Sequence, residues 1–263
     1  MDLGLTGRTA LVGGASSGLG RASADALAAE GCRLAIWSRG RDSLDAVAAD
    51  LRERYGASVV VLEGDAGEPG TGARIAAEAQ AAVGPIDIVV LNAGGPPTVD
   101  PTATDAAGWG RAFQLLSITP IELASALLPG MRERGWGRVV AVLSSGVRQP
   151  INDLVYSNAG RGALVAWLKT AAGVVAADGV TVNGVLPGRL DTPRVASLDR
   201  GLAERTGETV GAVVKRRLAA IPAGRYGRPE ELGWYVAWVC SELAGYQTGT
   251  FTAIDGGLIA GLP

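Results

Sequence analysis

The sequence predicts one α/β domain, built on a doubly wound parallel sheet of seven strands with helices on both faces. Short apolar runs alternate with longer helical patterns along all 263 residues, which is typical of parallel strands joined by crossover helices. The first run, residues 8–13, leads into a glycine-rich turn and the start of a helix. With 48% apolar and 19% charged residues, a chain of this length can bury one large core.

The apolar runs predict seven strands, and the segments between them predict the helices. The strands are predicted at 8–13, 33–37, 58–62, 86–91, 138–143, 180–186 and 250–254. The helices are predicted from about 18, through 44–51, and at 68–83, 105–134, 154–177, 198–203, 210–220 and 229–241. Pro120 predicts a kink or an interruption in the long helical region. The polar, arginine-rich segment 190–228 is expected to form a substrate lid over the carboxyl edge of the sheet.

The turn after the first strand has the spacing G-x-x-x-G-x-G, formed by Gly14, Gly18 and Gly20. Glycine at these positions permits a turn into positive φ, a close approach of backbone to ligand, and close packing of helix on strand. A helix that begins at about Gly18 directs its unpaired N–H groups and the positive end of its dipole at the turn. A strand, such a turn and a helix are typical of a Rossmann-type dinucleotide site, with a pyrophosphate over the turn.

Composition excludes several other kinds of partner. The formal net charge is −2 with both signs interspersed, so we expect no nucleic-acid or membrane partner and favour a small molecule. Cys32 and Cys240 are too few for a disulfide framework, and no signal segment or long apolar run is evident, so we expect a cytoplasmic protein. The sequence contains no histidine, which removes the commonest general base and zinc ligand, and no metal site is predicted.

Five motifs together resemble the short-chain dehydrogenase/reductase family over the whole chain. The motifs are the glycine turn, Asn92-Ala93-Gly94, Ser144, Val182–Gly188 with Thr192, and Thr248-Gly249 with Asp255-Gly256-Gly257. The resemblance implies a nicotinamide cofactor with its pyrophosphate on the turn, its adenine beside Asp65, and its carboxamide near Pro187. The implied cofactor-binding residues are Gly14, Ser16, Ser17, Gly18, Leu19, Gly20, Ser38, Arg39, Asp65, Ala66, Asn92, Ala93, Gly94, Arg161, Pro187, Gly188 and Thr192. Gly13 departs from the family's usual threonine, which puts one strand-fixing hydrogen bond in doubt.

The end of the second strand distinguishes between the two nicotinamide cofactors. A carboxylate there accepts the ribose 2′-hydroxyl of NAD and repels a 2′-phosphate. This chain has Ser38 and Arg39 instead, and an arginine beside a small hydroxyl suits a phosphate dianion. The sequence therefore favours NADP(H) over NAD(H).

The catalytic positions depart from the family's pattern. Members of the family use a serine and a tyrosine to hold the substrate oxygen, with the tyrosine transferring the proton, and a lysine beside the tyrosine. Counted along the family's intervals from Ser144, the tyrosine position falls on Ser157, the lysine on Arg161, and the usual asparagine on Leu116. Tyr156 stands one residue early, and residues five apart on a helix are rotated by about 140°. The catalytic candidates are Ser144, Tyr156, Ser157 and Arg161.

Three interpretations follow from these positions. The first is an NADP(H)-dependent reductase of a ketone or 3-oxoacyl-like carbonyl, in which Ser144, Tyr156 or water does the proton work and Arg161 supplies charge. The second is a cofactor-binding protein without hydride chemistry. The third is a lyase that resembles the halohydrin dehalogenases, although those relatives lose the glycine turn that is intact here. The resemblance further implies a homodimer or homotetramer, because apolar positions such as Leu123 and Leu164 exceed what one sheet face needs.

Overall fold

One sheet of seven parallel strands organises the chain, which confirms the predicted fold class. The computed structural model describes residues 1–261. The strands are β1 (Thr9–Gly13), β2 (Arg33–Ser38), β3 (Val59–Glu63), β4 (Ile88–Leu91), β5 (Gly137–Val142), β6 (Val180–Pro187) and β7 (Phe251–Ile254). They lie in the order β3-β2-β1-β4-β5-β6-β7. Because β1 pairs with both β2 and β4, the winding reverses there and opens a crevice at the carboxyl ends of β1 and β4.

Nine α-helices cover the sheet and its carboxyl edge in the described part of the chain. They are α1 (Gly18–Ala29), α2 (Arg41–Tyr55), α3 (Thr71–Val83), α4 (Ala106–Phe113), α5 (Thr119–Glu133), α6 (Val155–Val175), α7 (Pro193–Thr206), α8 (Val210–Ala219) and α9 (Pro229–Cys240). Helix α3 begins three residues later than predicted, because Gly70 has a φ of 76°. Helix α7 begins five residues earlier than predicted, because Thr192 caps it and Pro193 occupies its first turn.

Both faces of the sheet are buried. Along β1, Ala10 and Val12 belong to one core and Leu11 to the other, which is the alternation expected of a strand covered on both sides. Helices α1, α2 and α9 contribute side chains to the first core, and α3, α5 and α6 contribute to the second. The two cores hold the carboxyl edge of the sheet in a fixed geometry.

The long helical region is interrupted where Pro120 predicts it. Residues 114–118 form a π-helical segment between α4 and α5, and Pro120 lies in the first turn of α5. Proline has no N–H to donate to the carbonyl four residues earlier, so the regular α-helical pattern cannot run through this point. Ser117 Oγ, inside the segment, donates to the Gly160 carbonyl at 2.6 Å and ties the region to α6. The interruption therefore positions the first turns of α6, which carry Tyr156, Ser157 and Arg161.

The apolar stripe on α5 and α6 belongs to the core of a single chain. Leu123, Leu127, Leu164 and Leu168 are each at most 2% exposed. Of the described residues, 106–133 form the one helical stretch long and apolar enough to cross a membrane, and half of its most apolar window is buried. These leucine side chains are covered by the second core, so they lend the expected subunit interface no support, and the oligomeric state stays a prediction.

Candidate active site

A cavity of about 1410 Å³ opens at the carboxyl edge of the sheet, between the glycine turn and segment 190–228. All the site residues predicted from the sequence line it except Gly20. A Cβ on Gly20 would lie 2.3 Å from the Gly14 carbonyl oxygen, so Gly20 permits the close packing of α1 on β1. The structure thus brings the predicted nucleotide-binding and catalytic residues into one cavity.

The glycine turn forms an open cradle of backbone. Gly14 and Gly18 have φ values of 59° and 55°, and a Cβ on Gly14 would lie 2.6 Å from Asn92 Nδ2. Ser17 precedes α1 without capping it through its side chain, so the N–H groups of the first turn remain available to a ligand. These N–H groups and the helix dipole suit a pyrophosphate, and the cradle fits the phosphates of a dinucleotide.

Asn92 joins the two strands that border the crevice. Its Nδ2 donates to the Gly13 carbonyl oxygen at 3.1 Å. A Cβ on Gly13 would lie 2.5 Å from the Asn92 carbonyl oxygen, so a threonine does not fit there in this backbone. The Asn92 amide therefore provides a link between β1 and β4 without a side chain at position 13.

The end of β2 presents polar groups without protein partners to the cavity. Ser38 Oγ is buried and has no hydrogen-bond partner within residues 1–261. The exposed Arg39 also lines the cavity, and over the same residues it forms no ion pair. Across the groove, Asp65 Oδ1 accepts a hydrogen bond from the Gly67 N–H at 2.8 Å. A phosphate at this end of the nucleotide would satisfy both Ser38 and Arg39.

Thr192 closes the opposite end of the nucleotide groove. Its Oγ1 accepts from the Val195 N–H at 3.3 Å and so caps α7. Its Cγ2 lies 3.5 Å from where a Cβ on Gly18 would stand. The start of α7 and the glycine turn therefore approach each other closely at this edge of the nucleotide groove.

Two serine hydroxyls lie at the centre of the cavity. Ser144 follows β5, and its Oγ accepts a hydrogen bond from the Gly146 N–H at 3.0 Å. That bond fixes the oxygen and leaves the hydroxyl hydrogen free to be donated. Ser157, on the first turn of α6, is 7% exposed, lines the same cavity and forms no side-chain hydrogen bond within the described chain. Both hydroxyls can therefore bind a ligand oxygen.

The Tyr156 ring also lines the cavity, but its hydroxyl is directed at α4. Tyr156 Oη accepts the Asp105 backbone N–H at 3.1 Å, and its ring packs edge-on against Trp109 with centroids 4.7 Å apart. A Cβ on Gly108 would overlap this hydroxyl. Tyr156 thus anchors the start of α4 to α6.

Arg161 brings a fixed positive charge under the cavity. Its Nη1 donates to the Val142 carbonyl oxygen at 2.7 Å, and no carboxylate pairs with it in residues 1–261. Burial, together with repulsion from Arg194, lowers the pKa of Arg161 to about 10. The guanidinium therefore stays charged at neutral pH and cannot act as a proton donor and acceptor there.

Sequence reasoning missed five arginines of the cavity wall, of which Arg189 and Arg194 lie beside a predicted motif. Arg189 follows Pro187-Gly188 directly, and Arg194 stands two residues after Thr192. Arg194 Nη2 donates to the Pro96 carbonyl oxygen at 2.6 Å and so links the start of α7 to the loop after β4. Both arginines lie within or next to the motif formed by Val182–Gly188 with Thr192, and that position was the signal available in the sequence.

The chain is similar to several known proteins. A family model described as enoyl-(acyl carrier protein) reductase matches residues 14–259. Nodulation protein G of Azospirillum brasilense is 32% identical over 95% of this chain and 98% of its own length. Cis-4-hydroxycyclohexanecarboxylate dehydrogenase of Sinomonas cyclohexanicum is 34% identical over 96% of this chain and 97% of its own. The crystal structure of L-sorbose reductase from Gluconobacter frateurii with NADPH and L-sorbose superposes with a TM-score of 0.94, at 30% identity and full coverage of both chains.

The fold, the glycine cradle and these relatives define the class of protein. The chain belongs to the short-chain dehydrogenase/reductase family. Its named enzyme relatives are oxidoreductases that act on small carbonyl or alcohol compounds.

Proposed function

We propose that this chain is an NADP(H)-dependent oxidoreductase that interconverts a small carbonyl compound and the corresponding alcohol. The observation that carries the proposal is the placement of Ser144, Ser157 and Arg161 in the same cavity as the glycine cradle. Two hydroxyls that can bind a carbonyl oxygen thus lie beside a site suited to a dinucleotide. The activity is tested by following NADPH consumption with a panel of ketones and oxo acids.

The preference for NADP(H) is proposed from the end of β2. The unpartnered Ser38 hydroxyl and the Arg39 guanidinium suit a 2′-phosphate, and no carboxylate stands there to accept a 2′-hydroxyl. The NADPH bound in the L-sorbose reductase structure adds support.

Arg39→Asp should reverse the cofactor preference. The change removes a charge-assisted donor and adds a repulsive carboxylate, so NADPH affinity should fall on the order of 10- to 100-fold while NADH affinity rises. Fluorescence titration with both cofactors measures it. Arg41→Asp is the matched control, because Arg41 lies two residues along, pairs with Asp45 at 3.0 Å and does not line the cavity. Equal affinities for both cofactors in the unmodified protein would defeat the proposal.

Reduction requires a hydride at the carbonyl carbon and a proton at the carbonyl oxygen. The bound cofactor supplies the hydride. We assign the carbonyl oxygen to a position between the Ser144 and Ser157 hydroxyls, which donate hydrogen bonds as negative charge develops on that oxygen. Arg161 stabilises the charge and holds the adjacent ribose. As the C=O π pair moves onto oxygen, the proton comes from water in the space beside Ser157, either directly or through Ser157 Oγ, which gives its own proton as it takes one from that water. The Tyr156 hydroxyl is held against α4 and does not supply it.

Ser144→Ala should lower carbonyl reduction on the order of 10²-fold, because it removes a fixed donor to the reacting oxygen. Steady-state kinetics measure the loss. Tyr156→Phe is the matched comparison: it should leave kcat within about threefold while lowering the thermal midpoint, since the Asp105 N–H loses its acceptor, which costs about 1 kcal/mol. A loss of kcat in Tyr156→Phe as large as in Ser144→Ala would instead make Tyr156 the proton donor.

A second candidate is a cofactor-binding protein without turnover. Its support is the pair Ser157 and Arg161, which stand where the family uses a tyrosine and a lysine. Tight NADPH binding with no reduction across the ketone and oxo acid panel would favour it. The open glycine cradle argues against the dehalogenase-like lyase, for which a dinucleotide cradle has no use.

The formation of a homodimer or homotetramer stays a prediction. Its support comes from exposed residues and not from the buried apolar stripe on α5 and α6. Trp234 and Trp238 on α9 are 57% and 37% exposed, and Leu243 and Tyr246 just beyond the helix are exposed as well. Trp234 and Trp238 are four residues apart and share one face of α9, and an exposed apolar face is typical of subunit interfaces. The cytoplasmic location also stays a prediction.

A further inference from the structure

The cavity is rich in positive charge on one side. Seven arginines line it against three carboxylates, although the chain as a whole has a formal net charge of −2. Positive charge in a partly enclosed cleft attracts anions and is unfavourable while it lacks a counter-charge. The cavity lining thus favours anionic ligands.

Most of these arginines already have a protein partner or a proposed anion. Arg216 and Arg217 form ion pairs with carboxylates of segment 190–228. Arg39 faces the proposed phosphate site, and Arg161 and Arg194 donate to main-chain carbonyls along the nucleotide groove. These contacts engage the arginines that lie nearest the proposed cofactor site.

Apart from the exposed Arg111, the remaining cavity arginine without such a partner in the described chain is Arg189. Within residues 1–261 its guanidinium forms neither an ion pair nor a hydrogen bond, and it is half-buried. The Gly227 N–H donates to the Arg189 carbonyl oxygen at 2.9 Å, which brings Tyr226 beside Arg189. Burial lowers the pKa of Arg189, whereas Tyr226 and Asp153 raise it. Asp153 is itself held by Arg205 at 2.7 Å. Arg189 is therefore a cation in the cavity wall whose nearby carboxylate is already engaged.

The position of Arg189 places it on the substrate side of the cavity. Asp153 belongs to the loop before α6, and Tyr226 belongs to the end of segment 190–228. In the sheet order β1-β4-β5-β6, the end of β5 with Ser144 lies between the glycine cradle after β1 and Arg189 after β6. A ligand whose carbonyl oxygen contacts the two serines would extend its other end toward Arg189.

We infer that the carbonyl substrate carries a carboxylate that binds Arg189, so that the substrates are oxo acids and the corresponding hydroxy acids. The inference rests on the proposed function, which places the carbonyl at Ser144 and Ser157. The planar guanidinium matches a carboxylate through two parallel hydrogen bonds, and partial burial strengthens the contact. A neutral substrate of the same shape would leave the Arg189 charge without a partner.

Matched acids and esters test the inference. The probes are 4-oxopentanoate and 3-oxobutanoate, each compared with its methyl ester in NADPH-dependent reduction. The acids should be preferred on the order of 10- to 100-fold in kcat/KM. Arg189→Leu should remove the preference mainly through KM, and Arg189→Lys should restore part of it. Arg216→Leu is the matched control, because Arg216 also lines the cavity but is paired with Glu208, and it should keep the preference.

Calorimetric binding of the same probes to protein saturated with NADP⁺ separates the two proposals. If nothing is reduced but the acids bind in an Arg189-dependent way, the anion site stands and the reductase activity fails. If ketones are reduced without preference for the acid, or the preference survives in Arg189→Leu, the anion site is overturned and the reductase activity stands. Failure of both acids to bind at millimolar concentration also overturns the anion site.

Discussion

Replacing Gly18 with valine should lower NADPH affinity on the order of 10²-fold or more. Gly18 has a φ of 55°, a conformation that a β-branched residue adopts only under strain. Its Cβ would point across the groove toward Thr192, 3.5 Å from Thr192 Cγ2, so the two valine methyl groups would occupy the space proposed for the pyrophosphate. Titration of NADPH fluorescence measures the loss.

A matched glycine separates lost binding from lost stability. Gly56 ends α2 with a φ of 63°, has open space where a side chain would stand, and does not line the cavity. Gly56→Val therefore introduces comparable backbone strain, of about 1–2 kcal/mol, away from the nucleotide groove. It should lower the thermal midpoint and leave NADPH affinity unchanged. An intact NADPH affinity in Gly18→Val would place the pyrophosphate elsewhere.

The sheet and its nucleotide-binding edge could be predicted because their signals are local. An apolar run such as 180–186, which stands between two predicted helices, predicts a buried strand. The observed β6 extends this run by one residue. The glycine spacing predicts the geometry of the turn directly, because positive φ and close backbone approach require glycine wherever the turn lies. The start of α7 was misplaced although Thr192 and Pro193 are ordinary signals of a helix start, because the polar segment around them lacks apolar periodicity.

The side-chain roles within the site depended on residues far away in sequence. The one-residue offset of Tyr156 was visible in the sequence, but its partner, the Asp105 N–H, lies 51 residues earlier and follows from the packing of α4 on α6. For the same reason, Arg189 could not be recognised as a binding group from the sequence. Its significance comes from Asp153 being engaged by Arg205, a contact that joins the loop before α6 to the end of α7, 52 residues away.

Placing a tyrosine and a lysine at positions 157 and 161, where the intervals from Ser144 predict the family's catalytic pair, should raise the reduction of simple ketones on the order of 10²-fold. Ser157→Tyr with Arg161→Lys places a phenol at the cavity-lining position of α6 and a lysine one turn later, on the same helix face. A phenol with a lysine beside it is a far better proton donor to a developing alkoxide than a serine or a loosely held water. Tyr156 is left unchanged, because its bond to the Asp105 N–H holds α4 in place.

The hydroxyl, rather than the ring, should carry this gain. Ser157→Phe with Arg161→Lys fills the same space without a proton to donate, so it should bind NADPH equally well and show no increase in kcat. A gain of equal size in the phenylalanine variant would mean that the restored ring acts by excluding water from the cavity. No gain in the tyrosine variant, with NADPH binding intact, would mean that proton transfer does not limit the unmodified protein. In that case, reduction of ketones by the unmodified protein would mean that Ser144, Ser157 and Arg161 already form a complete catalytic site. No reduction would mean that they form a non-catalytic site.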